Sequence, residues 1–430
     1  MTTRRTILKA LAGVAFAADM LPPAAEAADT AVDAARHRAH LDPNVIAKDE
    51  DFWLMVRQAY VLDSNIVNLN NGGSSPAPRV ALEAMKRALD AANVNPSIVL
   101  LREQEPRVEQ ARRELARLFG CESMEMAITR NASESLATLV MGMDLKSGDE
   151  VITTDHSYPR VLQTWRQRSR REGIVVKVLS PSSEGQSQGD LANLVMNAVT
   201  ERTRVIEICH VTNVLGRIWP VKEIVAQARL RKIDVIVDGA HALAHFPFTN
   251  AELNCDFYAT TLHKWLGAPI GTGMLFVRKE RIAGMWALMP QPATLDNDIK
   301  KFEETGTRPA AMRLAILEAL RFTVGIGIDR KAARLRFLRD RWSARLVGRE
   351  EARVLTPSDP TLACGIGYVA TPKHDCVKVA ARLMEKHGIS ITAVPTWREP
   401  GVRISPNVYT SLAEIDQFSE AFDTVLRDLA

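Results

Sequence analysis

Two residues set the chemistry this chain could do. Asp238 closes the apolar run Val235-Ile236-Val237 and leads into Gly239-Ala240-His241, and Lys264 follows in Thr261-Leu262-His263-Lys264-Trp265-Leu266-Gly267. A carboxylate at the end of an apolar strand is costly unless something compensates its charge. Taken alone, Asp238 could equally be a solvated turn residue. A lysine set among His, Trp and Leu, however, is poorly placed as a surface solubiliser. Desolvation lowers its pKa and frees the neutral amine for imine formation, the activation that covalent amine catalysis requires.

Other polar residues stand at the ends of apolar runs. Asn131-Ala132-Ser133-Glu134 follows Met126-Ala127-Ile128 and opens a helical pattern, with Asn131 suited as N-cap and Glu134 placed to close a capping box. Free N–H groups and the helix dipole favour an anion there by about 0.3–1 kcal/mol, or about 2 when partly buried, and the Ser133 hydroxyl adds a donor. An empty cap is the equally ordinary alternative. Asp155-His156-Ser157-Tyr158 offers aromatic faces after another such run. Arg403, in Gly401-Val402-Arg403-Ile404-Ser405, alternates away from its apolar neighbours, and its planar guanidinium suits a bidentate grip on a carboxylate. A lone strand arginine is otherwise most often a surface residue.

These residues need a scaffold, and the pattern supplies one. Residues 150–153, 174–178, 205–208, 235–237 and 274–277 are short β-branched runs, and 79–92 and 107–119 carry apolar residues at helical spacing. The alternation predicts an α/β fold with a mostly parallel sheet, in which ligands collect beyond the carboxyl ends of the strands. A long helical stretch from about Arg313 to Val347 follows. Strands at 364–370, 388–394 and 402–405 and a closing helix from Leu412 then predict a second, smaller α/β domain, with the boundary at 295–315.

The chain of 430 residues is longer than one core usually serves, which agrees with two packed domains. Its 46% hydrophobic and 25% charged residues exclude a disordered, collagen-like or coiled-coil chain. A net charge of +4, scattered along the sequence, gives no footprint for nucleic acid. The five cysteines form no CxxC pair, so neither a disulfide framework nor a cysteine-rich zinc site is expected, and most read as small buried residues. At the start, Arg4-Arg5 precedes a modestly apolar run, Ala10 to Ala18, too short to span a bilayer, and Ala25-Glu26-Ala27 has the form of a cleavage site. Residues 1–27 therefore resemble a twin-arginine signal peptide cut near Ala27. Export of the folded protein by the twin-arginine machinery to the periplasm is expected, without stable membrane association.

Together the motifs resemble the class V aminotransferase family of pyridoxal 5′-phosphate (PLP) enzymes, fold type I, over roughly Asn68 to Asp423. The resemblance is nearest to the isopenicillin N epimerase-like branch, with exported siderophore-tailoring enzymes also similar. It implies an N-terminal segment at 28–67, a large PLP-binding domain at 68–305 with a mostly parallel seven-stranded sheet, and a small C-terminal domain at 306–430. Lys264 would be the Schiff-base lysine, able to shuttle the substrate Cα proton, and Asp238 would keep the pyridine nitrogen protonated. Asn213 and His241 would approach the ring hydroxyl. Ala132 and Ser133, with Asn131, Thr261 and His263, would hold the phosphate. Gly306-Thr307 would reach the phosphate of a partner subunit, which implies a homodimer. Either His156 or Tyr158 would stack on the ring, the other being a packing residue. Arg403 would bind the carboxylate of an amino-acid-like substrate, and Asn71 and Gly72 would form a substrate-side loop.

One departure narrows the chemistry. Cysteine desulfurases of this family need a nucleophilic Cys about a dozen residues ahead of the carboxylate arginine, but residues 388–402 contain none, and Cys376 lies in a helix-like run. Transamination, epimerisation, decarboxylation and elimination stay open, with an aminotransferase first and an amino-acid epimerase second. Other classes fit less well. A dinucleotide oxidoreductase lacks the G-x-G-x-x-G turn, and the 267–273 glycines have the wrong order. A zinc hydrolase would have only His241 and His245 at i, i+4 spacing, without H-E-x-x-H, so no metal is expected. No G-x-S-x-G elbow supports a serine hydrolase. A non-catalytic exported binding protein would have no use for Lys264.

Overall fold

The computed structural model describes residues 22–429. The Arg4-Arg5 pair and the apolar run after it lie outside the described residues. Helix α1 (Ala24–His37) buries one alanine-rich face, with Ala24, Ala27, Ala28, Ala31, Ala34 and Ala35 at helical spacing. Ala25-Glu26-Ala27 therefore falls in the first turn of a packed helix, and a cut after Ala27 would remove Ala24 and Ala27 from it. Helix α2 (Glu50–Gln58) is capped by Asp49, which accepts from the Phe52 N–H at 3.0 Å. A short strand β1 (Val67–Asn68) and helices α3 (Arg79–Val94) and α4 (Glu105–Phe119) follow.

Strands and helices then alternate: β2 (Met126–Thr129), α5 (Ala132–Gly142), β3 (Glu150–Thr154), α6 (Pro159–Glu172), β4 (Val175–Leu179), α7 (Gln188–Asn197), β5 (Thr203–Cys209), α8 (Val221–Leu230), β6 (Asp234–Asp238), β7 (Phe257–Thr261) and β8 (Gly273–Val277). They form the expected seven-stranded sheet, in the order β2-β8-β7-β6-β5-β3-β4. Only β8 runs against its neighbours. The strands are apolar on both faces because helices cover both. Ile206, Ile208, Val235 and Val237 pack with Leu115 and Phe119 of α4 and Ile224 of α8, whereas Val151, Val205, Ile236 and Phe257 pack with Leu136 of α5 and Trp165 of α6. As a result β2, β3, β5, β6 and β7 all end at one edge of the sheet.

The region read as one helix from Arg313 to Val347 is two, α9 (Ala311–Ile326) and α10 (Ile328–Ser343). Gly327 between them has φ 92°, a left-handed value that a continuous helix cannot contain. Helix α9 packs on α3 and α4, and its Ile316, Ala319 and Leu320 join the core of the large sheet. The start of α10 still packs on the large unit, with Ala332 and Leu335 against Val211 and Trp265, and its later Leu338 and Trp342 join the core of the smaller unit.

The smaller unit contains β9 (Arg353–Val354), β10 (Gly367–Ala370), α11 (Cys376–His387), β11 (Ile389–Ser390), β12 (Thr392–Val394), β13 (Gly401–Ile404) and α12 (Leu412–Asp428). Its antiparallel sheet has the order β12-β13-β10-β9, while β11 pairs in parallel with β1. Val67 and Leu69 consequently belong to the core of the smaller unit, along with Val402, Ile404 and Phe418. Arg57 of α2 binds Glu414 of α12 through both carboxylate oxygens, at 2.8 and 2.9 Å, so the N-terminal arm is tied to the same unit.

Candidate active site

A cavity of about 450 Å³ lies where the strand ends meet β12 and β13. Asp238, the last residue of β6, is buried within it. One carboxylate oxygen accepts from the Ala240 N–H at 2.9 Å, and Cys209 Sγ lies 3.9 Å from the other. Burial pushes the Asp238 carboxyl up, opposed by the Ala240 N–H, Lys264 and Cys209. Gly239 follows because any Cβ there would come within 2.1 Å of the Tyr258 ring.

Lys264, three residues beyond β7, lines the same cavity. Burial first, then the Arg403 charge, pushes its amine down to about 8, with Asp238 and Cys209 opposing. Its Nζ stands 3.2 Å from His241 Nε2. Burial, then the charges of Lys264, Arg403 and His245, holds the His241 imidazole well below its usual range, so it stays neutral. His241 Nδ1 is buried without a partner. A carboxylate, an amine and an unpartnered imidazole nitrogen thus share one cavity, with no ion pair closing on any of them among the described residues, although protein interiors normally satisfy such groups. They fit a ligand with a protonated ring nitrogen, a carbonyl and a ring hydroxyl. Asn213, in the turn after β5, lines the cavity as well.

The start of α5 forms another wall. Asn131 caps the helix, accepting from the Glu134 N–H at 2.9 Å. The expected capping box does not close, because Glu134 turns instead to the Arg130 N–H at 2.6 Å and to the Arg130 guanidinium. The Ala132 N–H donates to Thr261 Oγ1 at 2.9 Å, while Ser133 faces the cavity. His263 is beside them, its Nδ1 3.2 Å from the Thr272 carbonyl. Gly273 in β8 allows this arrangement, since a Cβ would lie 2.6 Å from the Asn131 backbone.

Arg403 reaches in from β13. It donates to the Asn213 carbonyl at 2.9 Å, to Asn70 Oδ1 at 3.0 Å and to Thr392 Oγ1 at 3.3 Å, while its Nε is buried and unpartnered. Gly72 lines the cavity, with its N–H donating to Ser405 Oγ at 2.9 Å.

Several expected residues sit elsewhere. Tyr158 lines the cavity, whereas His156 is packed between Trp219 and Trp397, its Nε2 accepting from Arg398 at 2.7 Å. Asn71 was expected to face substrate, but its amide is committed. It donates to the carbonyls of Asn68 and Ser405, both at 2.9 Å, and accepts from the Tyr409 hydroxyl and, at 3.1 Å, from Asn68. Gly306 and Thr307 line a separate cavity of about 620 Å³ with Arg112, Glu303 and Arg308. His245 is engaged through both ring nitrogens, at 2.7 Å to the His241 carbonyl and 2.8 Å from the Gly365 N–H, and stacks on Trp265 at 3.8 Å. Among the described residues no three His, Cys, Asp or Glu side chains are grouped to hold a metal ion.

Residues 67–418 match the class-V aminotransferase family. The chain belongs to that family. Its cofactor is accordingly pyridoxal 5′-phosphate. The chain is 30% identical to an isopenicillin N epimerase of Streptomyces clavuligerus, covering 87% of this chain and 98% of the relative. It is 24% identical to a probable cysteine desulfurase of Pyrococcus abyssi, over 87% and 98% of the two chains. In fold it is similar to the crystal structure of a cysteine desulfurase from Escherichia coli, with a TM-score of 0.77 at 22% identity, covering 88% of this chain and 99% of the other.

Some residues of this class-V site were not singled out from the sequence. Cys209 lines the cavity beside Asp238, although free cysteines read as ordinary core residues. Its position at the end of an apolar run, like that of Asp238, is the signal that could have found it. Thr392 and Val394 also line the cavity, from the end of the strand expected at 388–394. Cys376 is buried in α11 within the core of the smaller unit and does not line the cavity.

Proposed function

We propose that this protein is a PLP-dependent enzyme that works at the amino group and Cα of an amino acid or amino-acid-derived metabolite, with amino transfer as its reaction. The observation carrying this reading is the convergence of Lys264, Asp238 and Arg403 on one cavity, with Asp238 and Arg403 buried. When bound, the cofactor supplies an electron sink for the bond that breaks at Cα. The protein's residues do the rest. Ser133, Thr261, His263 and the α5 N-terminus would hold the phosphate, and Asp238 would keep the ring nitrogen protonated. His241 and Asn213 would face the ring hydroxyl. Lys264, with its amine held near neutrality, can take and return the Cα proton. Arg403 would orient the substrate through its carboxylate.

A second reading, amino-acid epimerisation, is favoured by Tyr158, which brings another proton-bearing group into the cavity of Lys264, and by similarity to proteins named isopenicillin N epimerase. Incubation with candidate amino acids in D2O separates the two. Amino transfer gives a keto acid and an aminated acceptor, whereas epimerisation gives deuterated amino acid of both configurations and no keto acid. Absence of any Cα exchange would sink both readings.

The same reading includes a homodimer exported by the twin-arginine route. Gly306 and Thr307 are remote from the Lys264 cavity, and Leu101 is exposed beside them, as a partner-facing surface would be. Sedimentation of the purified protein as a monomer would refute the dimer. Full-length, uncleaved protein in the cytoplasm of the native cell would refute export.

A further inference from the structure

Strand β5 carries a second buried acid for which the chemistry above has no use. Glu207 is completely buried, two residues before Cys209 and on the same face of the strand, and Cys209 is the register partner of Asp238. Its carboxyl meets two hydroxyls and no cation. Thr153 Oγ1 lies 2.5 Å from one oxygen, Ser157 Oγ lies 3.2 Å from the other, and the two hydroxyl oxygens are 3.0 Å apart. With both hydroxyls donating to Glu207, the 3.0 Å contact between them is left without a proton of its own. A carboxylate can only accept, whereas a neutral Glu207 brings the proton that closes the ring. The neutral acid then donates to Thr153, Thr153 donates to Ser157, and Ser157 donates back to Glu207.

The surroundings agree with this count. Glu207 faces Thr153 and Ser157 from β3 and the turn after it, Cys209 on its own strand, and Asp238 from β6, with Lys264 beyond Asp238. Burial, reinforced by the charge of Asp238, raises the Glu207 carboxyl to about 7, opposed by the Thr153 and Ser157 hydroxyls. Among the described residues no Lys, Arg or His forms an ion pair with it.

We propose that Glu207 is a positioning residue acting through Asp238: it remains a neutral acid so that a single negative charge faces the cofactor ring nitrogen, and when ionised it strengthens the hold on that nitrogen's proton. The proposal rests on Asp238 being the partner of the ring nitrogen. Two residues along and one strand across, the Cα atoms of Glu207 and Asp238 are about 8 Å apart. At that separation a unit charge in a protein-like medium moves a neighbouring proton affinity by roughly one pH unit.

The test uses the holoenzyme. Infrared difference spectra should show a protonated-carboxyl stretch that fades as the pH is raised through the neutral range and is missing from Glu207→Gln, a variant that keeps an acceptor and a donor for the two hydroxyls. The alkaline transition in the visible spectrum of the bound cofactor should have its midpoint roughly one pH unit lower in Glu207→Gln than in the wild type. No such stretch, or one that persists in Glu207→Gln, would overturn the neutral acid. Equal midpoints would overturn the coupling, as would an undiminished shift when Glu207→Gln is made in an Asp238→Asn background. If Asp238→Asn alone leaves the cofactor spectrum unchanged, the role given to Asp238 fails, even with the infrared band of Glu207 present.

Discussion

Replacing Lys264 by Met should stabilise the cofactor-free protein. Lys264 is partly buried at the cavity wall, and its amine is pushed from the ordinary 10.5 to about 8, chiefly by desolvation and secondarily by Arg403. At 1.36 kcal/mol per pH unit, keeping it charged in the fold costs about 3 kcal/mol. Between pH 8 and 10.5 the unfolded chain binds the proton and the native chain does not, so stability rises with pH across that window. The cost is complete below about pH 8 and disappears above about pH 10.5. Methionine fills a similar volume without charge, although its introduction leaves Asp238 without a nearby cation, which reduces the gain to about 1–3 kcal/mol. At about 2.1 cal/mol/K of unfolding entropy per residue, this is roughly 1–4 °C in Tm. The assay is calorimetry of both proteins, stripped of cofactor, at about pH 7 and again near the upper end of the window. A Met variant less stable than the wild type at neutral pH, or a gain that does not shrink with rising pH, would refute this account of Lys264.

Three further substitutions probe separate parts of the site. Asn71→Ala removes four hydrogen bonds, two of them buried, and strands the Tyr409 hydroxyl, so it should cost about 2–4 kcal/mol by thermal melts while cofactor uptake by the folded protein is unchanged. Weaker cofactor uptake at equal stability would contradict its structural role. Arg403→Lys loses the guanidinium fork, and steady-state kinetics should show kcat/KM falling by about 10- to 100-fold, mostly through KM. A fall confined to kcat would argue against carboxylate binding. Arg398→Ala should raise the titration midpoint of His156, followed by NMR of labelled histidine, because burial and then the Arg398 charge hold it down at about 3. An unchanged midpoint would remove Arg398 as a cause.

The large sheet was legible because its strands are apolar on both faces and end in conspicuous polar residues. Asp238 stands out because it closes an apolar run where the chain leaves the sheet, Asn131 because it opens a helix just after one, and Lys264 because it is set among His, Leu and Trp. Long-range pairing leaves no comparable mark. Nothing local indicates that Val67 and Asn68 pair with Ile389 and Ser390, some 320 residues later. The single helix read across Gly327 shows another limit, since the amphipathic pattern continues on both sides while one backbone angle breaks it. Asn71 lies in a loop whose sequence suits substrate contact, but only the arrangement of Asn68, Ser405 and Tyr409 reveals that its amide is already used. Glu207, by contrast, was visible as an acid inside Val-Ile-Glu-Ile-Cys, and its meaning depended on Thr153 and Ser157 arriving from another strand.

The most direct test of the site is to find where the cofactor is attached. The purified protein, loaded with PLP and reduced with borohydride, should lose its visible absorption, and peptide mapping should place the fixed cofactor on Lys264, with Lys264→Ala retaining none. A protein that stays colourless with PLP would contradict the account. So would a reduced adduct on another lysine, of which Lys331 is the most informative because it too is buried with its amine lowered to about 7.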